Sequence, residues 1–459
     1  MFTYLFDFFM EADAFFWGYI GFSLIMLLGC YLTIKTRVFQ IRAFRHVIYT
    51  FLQEAFQRSA SERGLHPLKA FFASVGGMLG VGNVVGIVTA IQLGGPGALL
   101  WVWVAGFAGT LIKYAEIYLG LKHRVKNERQ SYDGGPMFFL KKAFKAPWIS
   151  GLVCVLLCIY GAEIYQFNVV VDTLAYSWGI NRLIIAFALL ALIVHASLGG
   201  VSRVAQVCSW IMPLFMVIYI SLCLWVIGHH VADLPAILLT VVKSAFTGHA
   251  AIGGFAGSSL MLAIQNGIAG ASYAADIGIG YDSTIQSESH TVYPERQARM
   301  AFLGVCLDNF ICTLSILVVL VTGLWQTPIG GENAPLVQLA LARYFPLVNM
   351  LMPLFIFILG YTTLIAYLIV GMKCARYLHP TRGASFYMGY AIAILTFFAF
   401  FDQTHALLVM RLAGALLLIV NLTGIYRLRH EIVFTVEDKI EEKAIITGPA
   451  SLLVAEGER

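Results

Sequence analysis

The chain has 459 residues, of which 59% are hydrophobic and 12% are charged; soluble domains carry about 25% charged residues, so a water-soluble enzyme of this length, which needs a polar shell, is excluded. The formal net charge of +5 comes from Lys and Arg confined to a few loops, which is not the basic face of a nucleic-acid binder. The eight cysteines lie mostly inside apolar runs, without Cys-x-x-Cys or Cys/His clusters, and read as small buried residues, not as a disulfide or zinc framework.

Along the chain, Met1 to Asp13 holds Asp7, Glu11 and Asp13 but no Lys or Arg. It lacks the basic start of a cleavable signal peptide and is expected to be an interfacial aromatic helix of the mature chain. Crossing a hydrocarbon core of about 30 Å takes about 20 apolar residues in a helix. Eleven runs are predicted to span, at roughly Ala14–Ile34, Ala70–Gly94, Ala98–Leu121, Trp148–Tyr176, Leu183–Leu198, Ala205–Ile227, Gly253–Tyr281, Ala298–Trp325, Leu347–Met372, Phe386–Phe401 and Ala406–Tyr426. The fifth and tenth are short.

Cationic side chains are retained on the cytoplasmic side, so the loops set the orientation. The loop after the first span carries Lys35, Arg37, Arg42, Arg45, Arg58, Arg63 and Lys69, and the loop after the third carries Lys122, Arg124, Lys126, Arg129, Lys141, Lys142 and Lys145. With both inside, alternation leaves only Arg182, Lys243 and Arg343 outside, and Lys113 and Arg411 in or at the edge of spans. The expectation is a multi-pass protein of the cell (inner) membrane with its N-terminus outside and its C-terminus cytoplasmic. The charged tail after Tyr426 is expected to be a solvated end.

In a bilayer, irregular backbone at membrane depth is tolerated only where it is buried or lines a cavity. Span two reads Gly76-Gly77-Met78-Leu79-Gly80-Val81-Gly82-Asn83-Val84-Val85-Gly86, which predicts a broken helix. Span seven has Gly253, Gly254 and Gly257, then Gly267 and Gly270, then Gly278 and Gly280, which predicts a second; close helix packing is the plainer reading of either cluster. The two breaks lie five spans apart, the sequence pointer to an inverted-repeat transporter. The expected organisation is an N-terminal segment with the first span and its loop (1–66), five-helix repeats at 67–227 and 228–430, and a cytoplasmic tail (431–459). A dinucleotide loop at Gly80-x-Gly82 fails for want of a preceding strand.

These residues resemble the alanine or glycine:cation symporter family, from about Pro67 to Leu378. The most specific piece is Gly80-Val81-Gly82-Asn83-Val84-Val85-Gly86 followed by Gly94-Gly95-Pro96-Gly97-Ala98 with Trp101 and Trp103. Lys113-Tyr114-Ala115-Glu116, Gly134-Gly135-Pro136-Met137, Gln166-Phe167-Asn168, Gly199-Gly200, Asp308 and Tyr361-Thr362-Thr363 follow in order. The resemblance implies an all-α polytopic fold, with one extra N-terminal helix before a 5+5 inverted repeat (LeuT-like, of the amino-acid–polyamine–cation superfamily). The departures are Val81 for a family threonine, Glu163 for a common asparagine, Tyr367 for a tryptophan, and a changed span seven, Gly270 to Gly280.

Half-helix N-termini present free N–H groups to an anion, so Gly80, Val81, Gly82 and Asn83 are the candidates for a substrate carboxylate. Gln166 either reaches across the same cavity or bonds a neighbouring helix. By resemblance, Tyr273, Asp276 and Tyr367 join the substrate-binding positions, and Gly80, Thr362 and Thr363 would hold sodium with oxygen ligands; the plainer reading of the threonines is bonding to their own helix carbonyls. Glu163, three residues before Gln166 and expected on the same helix face, is a cation ligand, an ammonium anchor or a proton carrier. Asp276 and Asp308 are candidates for pairing or gating. Lys113 and Glu116 are expected to pair at the membrane interface, and His195 to be a packing residue.

The function expected from the resemblance is sodium-coupled symport of a small neutral amino acid, alanine or glycine, by alternating access. A proton-coupled or substrate-altered carrier of the same fold is the alternative. An integral-membrane enzyme is the remote one, since no His/Asp/Glu cluster stands near the interface for metal or acid–base work. The expected partners are an amino acid, sodium or a proton, and the bilayer.

Overall fold

The computed structural model describes residues 2–56, 64–127, 131–247, 260–326, 336–400 and 403–436. Gly253, Gly254 and Gly257 of the seventh predicted span, and Arg58, Arg63, Arg129, Lys439, Lys443 and Arg459 among the basic residues, lie outside them.

The described chain is helical apart from a two-residue β-hairpin, β1 (Val125–Lys126) with β2 (Tyr132–Asp133). The helices α1 (Phe2–Phe15) and α2 (Phe22–Lys35) are joined by a π-helical turn at Phe16–Gly21, giving one membrane helix from Phe6 to Lys35. The N-terminal stretch is therefore the start of the first span, not a separate interfacial helix. Its reason is electrostatic: Asp13, buried, pairs with Arg411 at 2.9 Å. Next comes α3 (Phe39–Phe56), inside the loop expected after span one. Phe39, Ala43 and Val47 are buried at helical spacing while Ile41, Phe44 and Ile48 are exposed, the pattern of a helix lying in the interface.

Then follow α4 (Pro67–Met78), α5 (Gly86–Gly94), α6 (Ala98–Lys122), α7 (Pro136–Phe144), α8 (Pro147–Tyr160), α9 (Ile164–Trp178), α10 (Arg182–Ser197), α11 (Gly200–His229), α12 (Leu234–Thr247), α13 (Leu260–Ala274), α14 (Tyr281–Gln286), α15 (Pro294–Val321), α16 (Leu336–Ala342), α17 (Val348–Leu378), α18 (Gly383–Phe398) and α19 (Gln403–Arg427). Each of the eleven apolar runs is mostly helix where it is described, with interruptions inside the second, fourth and seventh. The fifth and tenth are the sixteen-residue α10 and α18, which pack against each other and against α9 and α17. The loop helices α3, α7 and α12 carry no span-length apolar run, and sequence reading left them as loop.

Apolarity alone does not set position in the bundle: α17 and α11 are nearly equally apolar, yet 78% of the most apolar stretch of α17 is buried against 39% in α11, so α17 is central and α11 faces lipid with Trp210, Leu214 and Val217. Packed around α17 are α4, α8, α9 and α11, while α6 packs against α13, α15 and α2.

The basic loops meet at one end of the bundle. Arg296 pairs with Glu54 at 2.8 Å, and Lys373 with Glu288 at 2.7 Å. At the same end the tail after Tyr426 is docked through residue 436, not solvated as expected. The Tyr114 hydroxyl donates to Val433 O at 2.6 Å, Phe434 stacks on Tyr114 at 5.0 Å, and Arg299 donates to Thr435 O at 3.0 Å. Glu431 accepts from Lys142 (2.9 Å to the nearer oxygen) and lies 3.1 Å from His123 Nε2 and 3.7 Å from Lys122. Partial burial pushes the Glu431 carboxyl up, but Lys142, His123 and Lys122 outweigh it and hold it below the usual carboxylate range.

A group held below its unfolded value stabilises the fold above that value, and the gain is lost as pH falls through the lowered one. Glu431→Gln is therefore expected to lower the melting temperature near pH 7 by about 1–3 °C. In a pH series of thermal melts, the gap to the unsubstituted protein should close as pH falls below the carboxylate range.

Candidate functional site

The first break is built by main-chain groups that lose their helical partners. The last turn of α4 closes with Leu79 N–H to Val75 O (2.8 Å), Gly80 is extended, and the chain resumes through a 3₁₀ turn at Val81–Asn83 into a helix bent by 62°. Side chains take over the freed donors: the Gly80 N–H donates to Asn83 Oδ1 (3.0 Å) and the Val81 N–H to Gln166 Oε1 (2.8 Å). Asn83 is held in turn, donating to Asp308 Oδ1 at 2.5 Å, while Ser315 donates to its carbonyl at 2.9 Å. Glycine at 80 lets the Gln166 amide approach the backbone, since a Cβ there would stand 2.4 Å from Gln166 Nε2 and displace that side chain.

The second break separates α13 from α14 and turns on three left-handed residues, Asp276 (φ 48°), Gly278 (77°) and Gly280 (99°). The Gly278 carbonyl is satisfied by Asn421 Nδ2 of α19 at 3.0 Å. Tyr281, the first residue of α14, donates to Ala73 O of α4 at 2.9 Å and stacks on Tyr367 of α17 at 4.0 Å. The two interruptions expected from the sequence are thus both present in the described residues and touch one another.

A third interruption was not expected. Span four is two helices, α8 and α9, parted at Gly161-Ala162-Glu163, with Glu163 left-handed (φ 48°). Glu163 is therefore the residue before α9 and not a member of a helical face shared with Gln166. The signal available was the Gly161 that precedes it in an otherwise apolar run.

The three breaks enclose one chamber of about 10 Å³, the volume of a single water probe. Its lining brings together Gly80, Gly82, Asn83, Glu163, Gln166 and Tyr273, with Asp276, Tyr160 and Met78. Asp276 Oδ1 accepts from the Tyr160 hydroxyl at 3.0 Å. The Tyr273 ring lies over Gly82, about 3.4 Å from where a Cβ would stand. Val81 turns its side chain away, toward Gly360 of α17, and Asn168 donates to Phe398 O at 3.0 Å, away from the chamber. Tyr367 and Asp308 are buried one residue further out, behind Asp276 and Asn83 respectively.

Thr362 and Thr363 on α17 are fully buried. Both bond their own helix, at Ile358 O and Leu359 O (3.0 Å each), and Thr363 also reaches Gly76 O at 3.4 Å. The pair thus meets the carbonyl end of α4 at Gly76, one turn before Gly80. Hydroxyls and main-chain carbonyls are the oxygen set a hard cation takes.

Beside the second break runs a buried polar network that sequence reading missed. Lys113 pairs with Asp282, not with Glu116, and both sit deep in the protein, not at the interface. Asp282 also accepts from Ser74, to which Gln286 donates at 2.9 Å, and Gln297 donates to Gln286 at 2.9 Å. Glu116 accepts from Asn421 Nδ2 at 3.1 Å and from the Ser283 N–H at 3.5 Å. Asp282, two residues beyond Gly280, and Asn421, a lone amide in span eleven, were the available signals. At the end with the basic loops a cavity of about 810 Å³ opens between Glu288, Lys373, Arg376 and Asp133.

With this geometry in hand, comparison with known proteins is informative. The sodium:alanine symporter family matches residues 3–445. A sodium/alanine symporter of Methanococcus maripaludis is 28% identical over 439 residues, covering 92% of this chain and 94% of that protein. A probable sodium/glutamine symporter of Bacillus subtilis is 27% identical over 440 residues, covering 94% and 90%. A putative sodium/proton-dependent alanine carrier of the same organism is 27% identical over 399 residues, covering 83% and 81%. Among solved structures, MhsT in complex with L-phenylalanine matches with a TM-score of 0.58 at 16% identity, covering 80% of this chain and 90% of that one, a likeness of fold.

Removing one member of a buried ion pair strands the other, at a cost of about 3–5 kcal/mol, whereas replacing both with apolar groups is often neutral. Lys113→Met is therefore expected to lower the melting temperature sharply, and Lys113→Met with Asp282→Leu to recover most of the loss, in thermal melts of the detergent-purified protein.

Proposed function

The chain belongs to the sodium:alanine symporter family, and from that premise we propose that it imports a small neutral amino acid, alanine or glycine, across the cell (inner) membrane together with sodium. The observation that carries this reading is the first break, whose Gly80, Gly82 and Asn83 line a small chamber with Glu163 and Asp276, and whose Gly80 and Val81 N–H groups are held by side chains and not by the helix. A zwitterion needs donors at one end and acceptors at the other, and a dry site supplies them without a water shell.

The Val81 N–H is bonded to Gln166 Oε1, an uncharged oxygen in the place a carboxylate oxygen would take. Binding on this reading is an exchange: the substrate carboxylate takes the Val81 N–H, Gln166 turns away, and the chamber widens from about 10 Å³. Sodium would bind between the Thr362 and Thr363 hydroxyls and the carbonyl end of α4, including Gly76 and, if the break adjusts, Gly80. The ion then holds the geometry of the first break that the carboxylate requires, so each ligand tightens the other. Alternation follows from rocking of the helical bundle that carries the broken helices of the two repeats, 67–227 and 228–430, about the shared chamber, with the N-terminus outside and the cavity beside Lys373 as the cytoplasmic exit.

The names of the relatives support an alanine-like or glutamine-like substrate and a sodium partner. A proton-coupled or substrate-altered carrier is the second reading, motivated by the Glu163 carboxylate at the chamber and by the relative named for sodium and protons.

In proteoliposomes, an inward sodium gradient is expected to drive accumulation of labelled alanine, and Thr363→Ala to raise the sodium concentration for half-maximal uptake about tenfold, the loss of roughly 1.4 kcal/mol. Uptake that ignores the sodium gradient but follows an imposed pH gradient would replace sodium with the proton.

A further inference from the structure

Five non-glycine residues among those described have left-handed backbone, and only Glu163 and Asp276 of these are buried. Such conformations are uncommon for residues with a Cβ and concentrate at functional sites. Here they fall at two different helix breaks and turn two carboxylates into the same chamber. Asp276 is partly satisfied by the Tyr160 hydroxyl. Glu163 is 2% exposed, and its Oε2 has no hydrogen-bond partner among the described residues.

Among the described residues no cation stands beside it to answer it. From α8, α13, α14, α17 and α18 the titratable groups around Glu163 are the phenols Tyr160, Tyr273, Tyr281, Tyr367 and Tyr387, together with the Asp276 carboxylate. Lys113, which faces Asp276, is bound to Asp282, and Arg411, which faces Tyr273, is bound to Asp13. A buried carboxylate without a partner is costly as an ion, so it either holds a proton or gives it up when a positive group arrives to pair with it. The carbonyl end of α8 and the amide end of α9 meet at Glu163, so the two helix ends offset one another there and neither replaces a full positive charge. Gly80 and Gly82 of the first break line the same chamber, and the Val81 N–H between them is held by the Gln166 side chain, so an amino acid finds an acceptor for its amine and, once Gln166 gives way, a donor for its carboxylate within one enclosure.

We propose that Glu163, with Asp276 beside it, is the receptor for the substrate's α-ammonium group and the residue that makes a primary amine a condition of transport. This rests on the reading of the chamber as an amino-acid site. It predicts that lactate, which has a hydroxyl where alanine has its ammonium, is refused because it would leave Glu163 unanswered.

The test is uptake of labelled alanine into proteoliposomes, with lactate as competitor, for the wild-type protein, Glu163→Gln and Glu163→Asp. Losing a charge-assisted hydrogen bond should raise the KM for alanine about tenfold to a hundredfold in Glu163→Gln and narrow the preference for alanine over lactate by a similar factor. Glu163→Asp should keep the preference. An unchanged preference in Glu163→Gln overturns the assignment, whether KM is also unchanged or only the pH dependence of uptake moves, as a proton carrier would require. If Glu163→Gln does not fold, thermal shifts of the wild-type protein decide: stabilisation by alanine and none by lactate is expected, and equal shifts overturn it. Should wild-type proteoliposomes take up no neutral amino acid, the proposed transport fails separately, and thermal shifts with amino acids paired against their 2-hydroxy analogues still decide for or against the amine receptor.

Discussion

A peptide group surrounded by hydrocarbon has no water to fall back on, and each one that leaves a helix must find a partner elsewhere in the protein. The centre of this molecule is organised by that demand. At the first break Asn83 and Gln166 accept from the Gly80 and Val81 amides, at the second Asn421 donates to the Gly278 carbonyl, and Tyr281 ties the second break to Ala73 of the first. The partners come from α9, α14 and α19 as well as from the breaks themselves, so irregular backbone and surrounding helices support one another. Groups that are satisfied by exchangeable side chains, and not by the helix itself, are the ones a ligand can claim.

Charge is distributed by a related logic. Buried ions are retained where they are paired, as Lys113 is with Asp282 and Asp13 with Arg411, and these pairs fasten helices distant in sequence: α6 to α14 and α1 to α19. Around the chamber the balance tips toward acid, with Glu163 and Asp276 in its lining and Asp308 behind Asn83. An acidic, desolvated centre favours cations of either kind, an ammonium or a metal ion, and the Thr362–Thr363 pair at the end of α4 lies on the far side of the first break from Gln166.

How much of this was legible in the sequence varied with the kind of signal. Apolar length marked the long spans, because hydrocarbon thickness sets a minimum that loops rarely imitate, whereas α10 and α18, at sixteen residues, fall below it and were marked by apolarity alone. Glycine clusters marked the first two breaks, because several glycines in one run weaken a helix cooperatively. The break at Glu163 was hidden, since one glycine and an acid in a left-handed turn have no period to read. It also falsified the inference that Glu163 and Gln166 share a helical face, which assumed an unbroken 3.6-residue repeat. Lys113 and Glu116 were misread for the converse reason: their spacing suits an ion pair along one helix, but the partner that decides their position, Asp282, is 169 residues away and only the tertiary fold brings it near. The tail after Tyr426 looked solvated by composition, yet Phe434 and Glu431 find an aromatic face, two lysines and a histidine there.

The two sixteen-residue helices have a consequence beyond the protein. At 1.5 Å per residue each extends only about 24 Å, several ångströms less than a typical hydrocarbon slab. Because α10 and α18 stand side by side, the deficit is concentrated on one flank and not averaged around the perimeter. Where α10 and α18 cross the bilayer, lipids have to shorten or splay to meet the helix ends, and the mismatch changes whenever that flank tilts. Acyl-chain length is thereby coupled to the energetics of any motion in which α10 and α18 take part.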